Sequence, residues 1–471
     1  MTPQDPAFLE RLKGIVGPAH VLTEPADLAP FLAEERGRYQ GAATVAVRPG
    51  STEEVAAVVA ACAEAQVPVV PQGGNTGLVG GAVSEAGEVV LALGRLNRIR
   101  ALDPAAHTLT AEAGCILADL QGAAEDAGLL FPLSLGAEGS CQIGGNLASN
   151  AGGLNVLRYG TARDLCLGLE VVLADGRIWH GLSGLTKDNT GYALKHLFIG
   201  AEGTLGIITA AVLKLFPRPT ESATALLAVP DLTAALDLLG RARARSGDSV
   251  SAFEVMNGFS LEVAVRHLPG ARAPLEEPTP WAVLVELATS RPDAPLRPVL
   301  ETLLEEAFEA GLVSDGVIAE SLDQRAALWN LREGIPEAQK PEGGSIKHDV
   351  SLPLAAIPEF VAAADAAVDA LVPGIRPCTF GHLGDGNLHY NLSQPAGADK
   401  DAFLARWEEI SARVHDLVVE RGGSISAEHG IGQLKVAELE RLKPALDMDL
   451  MHRLKKALDP DRVLNPGKVV R

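Results

Sequence analysis

Thiol chemistry is scarce in this chain. Its 471 residues include five cysteines, Cys62, Cys115, Cys141, Cys166 and Cys378, scattered and odd in number. No CxxC pair exists, so neither a disulfide framework nor a thiolate zinc site is expected, and the five read as small buried apolar residues. The haem signature CxxCH and a set of iron–sulfur cysteines are missing too. Electrons taken up by such a chain have to leave through a partner or a soluble acceptor. No apolar run approaches the ~20 residues of a membrane span. The opening Met-Thr-Pro-Gln-Asp-Pro shows neither a basic nor an apolar leader. These absences predict a cytoplasmic protein with no membrane span. Basic excess is also lacking: 40 Lys and Arg stand against 60 Asp and Glu, a net −20. That disfavours nucleic acid and anionic membrane as partners, yet leaves room for a small anionic substrate in a locally basic pocket. Heptads and repeats of 20–50 residues are not found.

What is present is a globular chain too long for one core. Residues 7–16 read as a helix, and Ser51 with Glu54 as a capping box opening a helix to about Ala65. Short apolar strands follow at Val67–Val70 and Val89–Leu93, an alternating segment at His107–Ala113, a helix over Ile116–Ala127, and a hairpin of Leu169–Ala174 with Arg177–His180 turning at Asp175-Gly176. Beyond Phe216-Pro217-Arg218-Pro219 the texture changes to strand–helix alternation. Strands are expected at Ala225–Val229, Trp281–Ala288 and near Ile346–Leu352, with helices at Leu232–Arg245, Leu296–Ala310, Ile357–Leu371 and Phe403–Arg421. This alternation argues for an α+β or α/β layer domain.

Three glycine-rich loops punctuate the first half. Pro71–Gly81 follows a strand and holds five glycines in its last nine positions. Adjacent glycines admit positive φ and present successive backbone N–H groups to an anion, most often phosphate. The loop is not a P-loop, since no Lys-Ser/Thr follows, and it lacks the GxGxxG spacing of a nicotinamide fold. One such loop equally suits a tight turn. Gly139–Gly153 and Ala201–Gly206 add two more, and Gly139–Gly153 is rich in side-chain amides that turns do not need. A long polar cofactor with a diphosphate and a heteroaromatic ring does need them.

The densest chemistry lies in Pro377–Leu392 and Ser424–Gly430. Together they hold three imidazoles, His382, His389 and His429, the carboxylate of Glu428 and the amide of Asn391. Two imidazoles and a carboxylate are a common ligand set for a divalent metal that keeps positions open for substrate. A third imidazole beside such a metal can act as general base. His389 and Asn391, two apart on a strand, share a face. Glu428 and His429 would diverge in extended chain, so Gly430 and Gly432 suggest a turn there. Arg332 and Lys347 are cations in segments otherwise apolar or small, and taken alone they read as solvated charges. Alternation points His348 away from its neighbours, and no role is assigned to it.

Taken in order, Pro71–Gly81, Gly139–Gly153, Glu202–Gly206, Gly381–Asn391, Glu428–Gly432 and Asn465–Lys468 resemble the FAD-linked oxidases of the vanillyl-alcohol oxidase fold. More closely they resemble the group of D-2-hydroxyglutarate dehydrogenases, D-lactate dehydrogenases and glycolate oxidase flavin subunits. The resemblance runs from about residue 20 to the end, and the wording of Pro71–Gly81 is most like the D-2-hydroxyglutarate branch. It implies an α+β fold: a two-subdomain FAD-binding domain over 1–218, a substrate or cap domain with a metal site over 219–425, and a segment over 426–471 that returns to the flavin. Gly73, Gly74, Asn75, Thr76 and Gly77 would hold the FAD diphosphate. Gly139, Gly144, Asn146, Gly153, Gly160, Gly203, Ile208 and Asn465 would line the rest. The first loop has no histidine for covalent attachment, so FAD is expected to be non-covalent. His382, His389 and Glu428 would bind zinc, with manganese the alternative. His429 would be the base, and Arg332, Lys347 and Asn391 would contact a 2-hydroxy diacid. Lys468 either approaches the flavin or is a surface lysine.

The implied reaction is oxidation of a D-2-hydroxy acid, foremost D-2-hydroxyglutarate, to the 2-oxo acid. The metal would assist loss of the hydroxyl proton while hydride moves to the flavin. The flavin would then be reoxidised by electron-transfer flavoprotein, a quinone or a cytochrome. A homodimer is the base-rate expectation for a soluble enzyme. The rival readings are a D-lactate dehydrogenase or glycolate oxidase flavin subunit, a metal-free flavin oxidase acting on sugars or lactones, and a non-enzymatic nucleotide-binding module with a structural zinc.

Overall fold

The computed structural model describes residues 2–34, 36–247 and 249–471. Two compact units emerge. The first comprises Met1–Gly153, Tyr159–Arg218 and Glu428–Arg471; the second comprises Leu154–Arg158 and Pro219–Ala427.

In the first unit, Val45–Val47, Val89–Ala92 and Val69–Gln72 pair in parallel, with Val21–Leu22 antiparallel at the edge. Every residue of Val45–Val47 and Val89–Ala92 is buried, as β-branched strands covered on both faces require. The crossover between two of these strands is the helix Thr52–Ala65. Its start was legible: the Ser51 hydroxyl accepts the Glu54 N–H at 3.2 Å. The Glu54 carboxylate reaches back one residue further than a capping box predicts, to the Gly50 N–H at 2.7 Å. A second, antiparallel sheet runs Ile99–Asp103, Thr108–Glu112, Ile207–Lys214, Cys166–Val172, Ile178–Gly181. The expected hairpin is its last pair, joined in register Val172 to Ile178. Helices Leu117–Asp126 and Ile143–Ser149 contribute to its core.

The second unit is built on one antiparallel sheet. Its order is Asp315–Ile318, Glu221–Val229, Trp281–Thr289, Val250–Asn257, Arg376–His382, Asn387–Ser393, Ser345–Ile346, with Asp349–Ser351 also pairing to Asn387–Ser393. One face carries Phe253, Val255, Val283, Val285, Leu388 and Tyr390. They form a single core with helices Leu232–Ser246, Leu296–Glu309, Ile357–Leu371 and Trp407–Glu420. Ile357–Leu371 shows why it is a helix of this kind: Ile357, Phe360, Val361, Ala364 and Val368 recur at helical spacing and are the residues it buries. The opposite face carries Ala252, Met256, Ala282, Leu284, Cys378 and Phe380, which pack with Gly258–His267 and Leu322–Glu333. That helical cover shares its face with a row of polar residues.

Two expected elements are broken. The strand foreseen near Ile346–Leu352 splits into Ser345–Ile346 and Asp349–Ser351. Between them the imidazole of His348 meets Tyr390 O at 2.8 Å, a contact made by side chain rather than by ladder N–H. The helix foreseen over Phe403–Arg421 is two, Lys400–Leu404 and Trp407–Glu420. Among the described residues, no helix is long and apolar enough to cross a membrane.

Candidate active site

The three glycine loops lie in the first unit and are drawn together backbone to backbone. A Cβ on Gly74 would collide with Ser140 O, and one on Gly153, at φ +111°, with Ser134 O. Gly144 abuts Ala113, Gly203 abuts Pro71, and Gly160, at φ +80°, abuts the Asp164 carboxylate. By contrast, Gly77 and Gly139 face open space, and Gly73 meets nothing closer than Gln142 at 3.5 Å. Asn75 holds φ +56° and donates from Nδ2 to Ala33 O at 2.6 Å; Thr76 stands beside it, partly exposed. Asn146 sits in the helix Ile143–Ser149, while Ile208 is the second residue of the strand Ile207–Lys214 after the third loop and buries its side chain in the core.

Asn465 ties the loops to the C-terminal segment. Its N–H bonds Val69 O at 2.8 Å, and its Nδ2 donates to Gly81 O at 2.9 Å and Glu202 O at 2.7 Å. Lys455 adds bonds from Nζ to Thr204 O at 2.8 Å and Leu464 O at 2.7 Å. Lys468 is not a surface lysine: it is 1% exposed, faces Glu88 at 4.0 Å, and is pushed below the ordinary lysine range by burial, against the pull of Glu88. The oxygens Gln142 Oε1, Asn146 Oδ1 and Asn465 Oδ1 are buried without a hydrogen-bond partner. Orphaned acceptors beside a glycine cradle fit a large polar cofactor that donates hydrogen bonds.

Glu428 and His429 open the C-terminal segment of the same unit. The Glu428 carboxylate accepts the Gly153 N–H at 2.5 Å. Gly430 and Gly432 take φ of +80° and +51°, the turn the glycines foretold. Glu202 then accepts the N–H groups of Ile431 at 2.7 Å and Gly432 at 2.8 Å. Burial pushes the Glu202 carboxyl up, and those two bonds with Lys435 oppose the shift.

In the second unit, cross-strand register assembles a polar row on one sheet face. His382 stands opposite Glu254 and Asn387, His389 opposite Phe380 and Asp349, and Asn391 opposite Cys378. The rings of His382 and His389 lie 5.6 Å apart at 77°. His382 Nδ1 meets Glu254 Oε1 at 2.8 Å; His389 Nδ1 lies 4.0 Å from Asp349 Oδ1. Asn391 Nδ2 donates to Gln339 Oε1 at 3.2 Å. Two imidazoles 5.6 Å apart, one of them bonded to a carboxylate, are donors of the kind that could hold a divalent cation.

Arg332, on Leu322–Glu333, is 4% exposed, so it is no solvated helix charge. Its Nε donates to Glu254 Oε2 at 2.8 Å, and its guanidinium lies 4.9 Å from the Phe380 ring centre. Nη2 is also 2.8 Å from Oε2 but out of alignment, and it has no hydrogen-bond acceptor. Lys347 is half-buried between the two short strands, whereas His348 is occupied by Tyr390 O and Ser411 Oγ. Burial alone would push Glu254 up; His382 and Arg332 outweigh it and hold the carboxyl below the ordinary range. Sequence reasoning missed Glu254, Asp349 and Gln339. The signal for Glu254 was one carboxylate inside the apolar run Ala252–Met256.

Residues 43–181 match the FAD binding domain, and residues 218–469 match the C-terminal domain of the FAD linked oxidases. The chain is 41% identical to the mitochondrial D-2-hydroxyglutarate dehydrogenase of Bos taurus, over 99% of this chain and 83% of that protein. It is 40% identical to the D-2-hydroxyglutarate dehydrogenase of Xanthomonas citri pv. viticola, over 99% and 97%. Among solved structures, the 4-ethylphenol oxidase of Gulosibacter chungangensis in its isoeugenol complex superposes with a TM-score of 0.74 at 21% identity, over 98% of this chain and 96% of that one. That likeness shows the fold, the α+β architecture of the vanillyl-alcohol oxidase type. With a matched C-terminal domain spanning more than half its length and full-length relatives at about 40% identity, the chain belongs to the FAD-linked oxidases.

Proposed function

We propose that this protein is an FAD-dependent dehydrogenase that oxidises D-2-hydroxyglutarate to the 2-oxo acid. The observation that carries the reading is Arg332: a guanidinium 4% exposed and paired with Glu254, the same carboxylate that meets His382. A guanidinium has five N–H donors, more than one carboxylate oxygen takes up, and Arg matches a carboxylate in planar, bidentate fashion. The names of most of the full-length relatives support the same substrate. On balance they do not favour the D-lactate dehydrogenase or glycolate oxidase reading.

In this reading Gly73, Gly74, Asn75, Thr76 and Gly77 hold the FAD diphosphate without a covalent bond. Gly139, Gly144, Asn146, Gly153, Gly160, Gly203, Ile208 and Asn465 line the remainder. His382, His389 and Glu428 hold a divalent cation, zinc or manganese. When bound, FAD supplies a hydride acceptor, and the cation supplies positive charge that makes an α-hydroxyl more acidic. His429 takes the hydroxyl proton as general base. Arg332 and Lys347 fix the two carboxylates, and Asn391 hydrogen-bonds the substrate, so that the reacting carbon is presented in one orientation. The domain roles follow: 1–218 for FAD, 219–425 for substrate, and 426–471 as the segment that supplies Glu428 and His429. Electrons leave to an acceptor such as electron-transfer flavoprotein, a quinone or a cytochrome; we further propose a cytoplasmic homodimer.

Dye-linked reduction across D-2-hydroxyglutarate, D-malate, D-lactate and glycolate tests the substrate. The diacids, D-2-hydroxyglutarate first, are expected to give the highest kcat/KM, and a preference for D-lactate or glycolate would overturn the assignment. His382→Ala and Glu428→Ala are expected to abolish bound metal and turnover while FAD stays in place; unchanged metal in both would refute the ligands.

A further inference from the structure

We propose that Glu254 is a positioning residue for two functional groups at once: it fixes the His382 imidazole for metal ligation and holds Arg332 for the substrate carboxylate. The inference rests on the roles proposed for those two residues. Glu254 lies in the centre of Val250–Asn257, 1% exposed, directly opposite His382 in register. Its neighbours Ala252, Phe253, Val255 and Met256 all belong to the apolar cores. A carboxylate there costs several kcal/mol of desolvation unless both oxygens are paired, and packing alone is served as well by an apolar residue. Both oxygens are paired: Oε1 with His382 Nδ1 and Oε2 with Arg332 Nε, each at 2.8 Å.

The chemistry of the pairing is directional. An ionised carboxylate only accepts, so the proton it shares with the ring sits on Nδ1. Ligation then falls to Nε2, the nitrogen that carries the lone pair in that tautomer. The other oxygen keeps the guanidinium from swinging away and neutralises it while no anion is bound. One side chain thus sets the tautomer of a ligand and the place of the carboxylate clamp.

The test uses the full-length FAD-bound protein. Zinc and manganese dissociation constants are measured by chelator competition for wild type and Glu254→Gln, together with FAD content and KM for D-2-hydroxyglutarate and D-lactate. Glu254→Gln is expected to keep FAD, weaken metal binding roughly 10–100-fold, and raise KM for the diacid more than for D-lactate. Should the single variant fail to fold because Arg332 is left unpaired, Glu254→Gln/Arg332→Gln removes both charges and is expected to show the same loss of metal affinity. An FAD-bound variant whose metal affinity stays within about twofold of wild type overturns the proposal. A wild type that binds neither metal fails differently, by removing the ligand roles on which the proposal stands.

Discussion

Single residues carry most of this account, and Arg332 is the most exacting of them. Its pairing with Glu254 uses Nε, and its planar fork is what lets further donors reach a carboxylate. Lysine keeps the charge and loses the fork. Arg332→Lys is expected to raise KM for D-2-hydroxyglutarate by roughly 10–100-fold, the worth of a hydrogen bond to a charged group, with a smaller effect on D-lactate; steady-state kinetics on both substrates check it. Gly153 is the counterpart in the first unit. At φ +111° and hard against Ser134 O, it tolerates no side chain. Gly153→Ala is expected to cost at least about 1–3 kcal/mol of stability from backbone strain and to lower FAD occupancy, read from the thermal midpoint and from flavin absorbance per chain. Equal occupancy and an unchanged midpoint would contradict the cradle.

At the scale of elements, ionic clamps and buried stripes do the fastening. Glu342 gathers His267 at 2.7 Å, Arg266 at 2.9 Å and Arg376 at 2.5 Å, joining the helix Gly258–His267 to the strand Arg376–His382. The hydrogen bond from His267, with those from Arg376 and Arg266, lowers its pKa to about 2 against the opposing effect of burial. A carboxyl depressed in the folded state stabilises fully above its unfolded value, and the contribution fades as pH falls through the folded one. The stability difference between wild type and Glu342→Gln is therefore expected to shrink between about pH 4.5 and about pH 2, as acid-dependent thermal unfolding will show. Phe360, fully buried in Ile357–Leu371 and edge-on to Tyr390 at 5.6 Å, makes a second test: Phe360→Ala is expected to cost ~3–5 kcal/mol in denaturant unfolding.

These elements also show what a sequence discloses. Ile357–Leu371 was legible, because its apolar stripe and its period agree. The helix Ile143–Ser149 was not, since its glycines read as loop until packing against Ala113 supplies a reason for them. Nor was the strand Val250–Asn257 foreseen, because a carboxylate in its centre breaks the apolar pattern, and only the cross-strand imidazole and guanidinium explain it. His389 and Asn391 could be placed on one face from their spacing of two. Their partners Asp349 and Gln339 come from distant segments, and period alone cannot find those.

For the whole molecule, the central claim is that a flavoprotein with a metal-ligand set removes hydrogen from a D-2-hydroxy diacid. Net charge −20 makes the buried Arg332 the more telling, since attraction of an anion has to be local in so acidic a protein. The most direct measurement is anaerobic mixing of the purified yellow protein with D-2-hydroxyglutarate, followed by the visible flavin absorbance. Bleaching is expected with the D enantiomer and not with the L, abolished by prior chelation and restored by zinc or manganese. A flavin that stays oxidised with the metal in place, or that bleaches equally well after the metal is stripped, would contradict it.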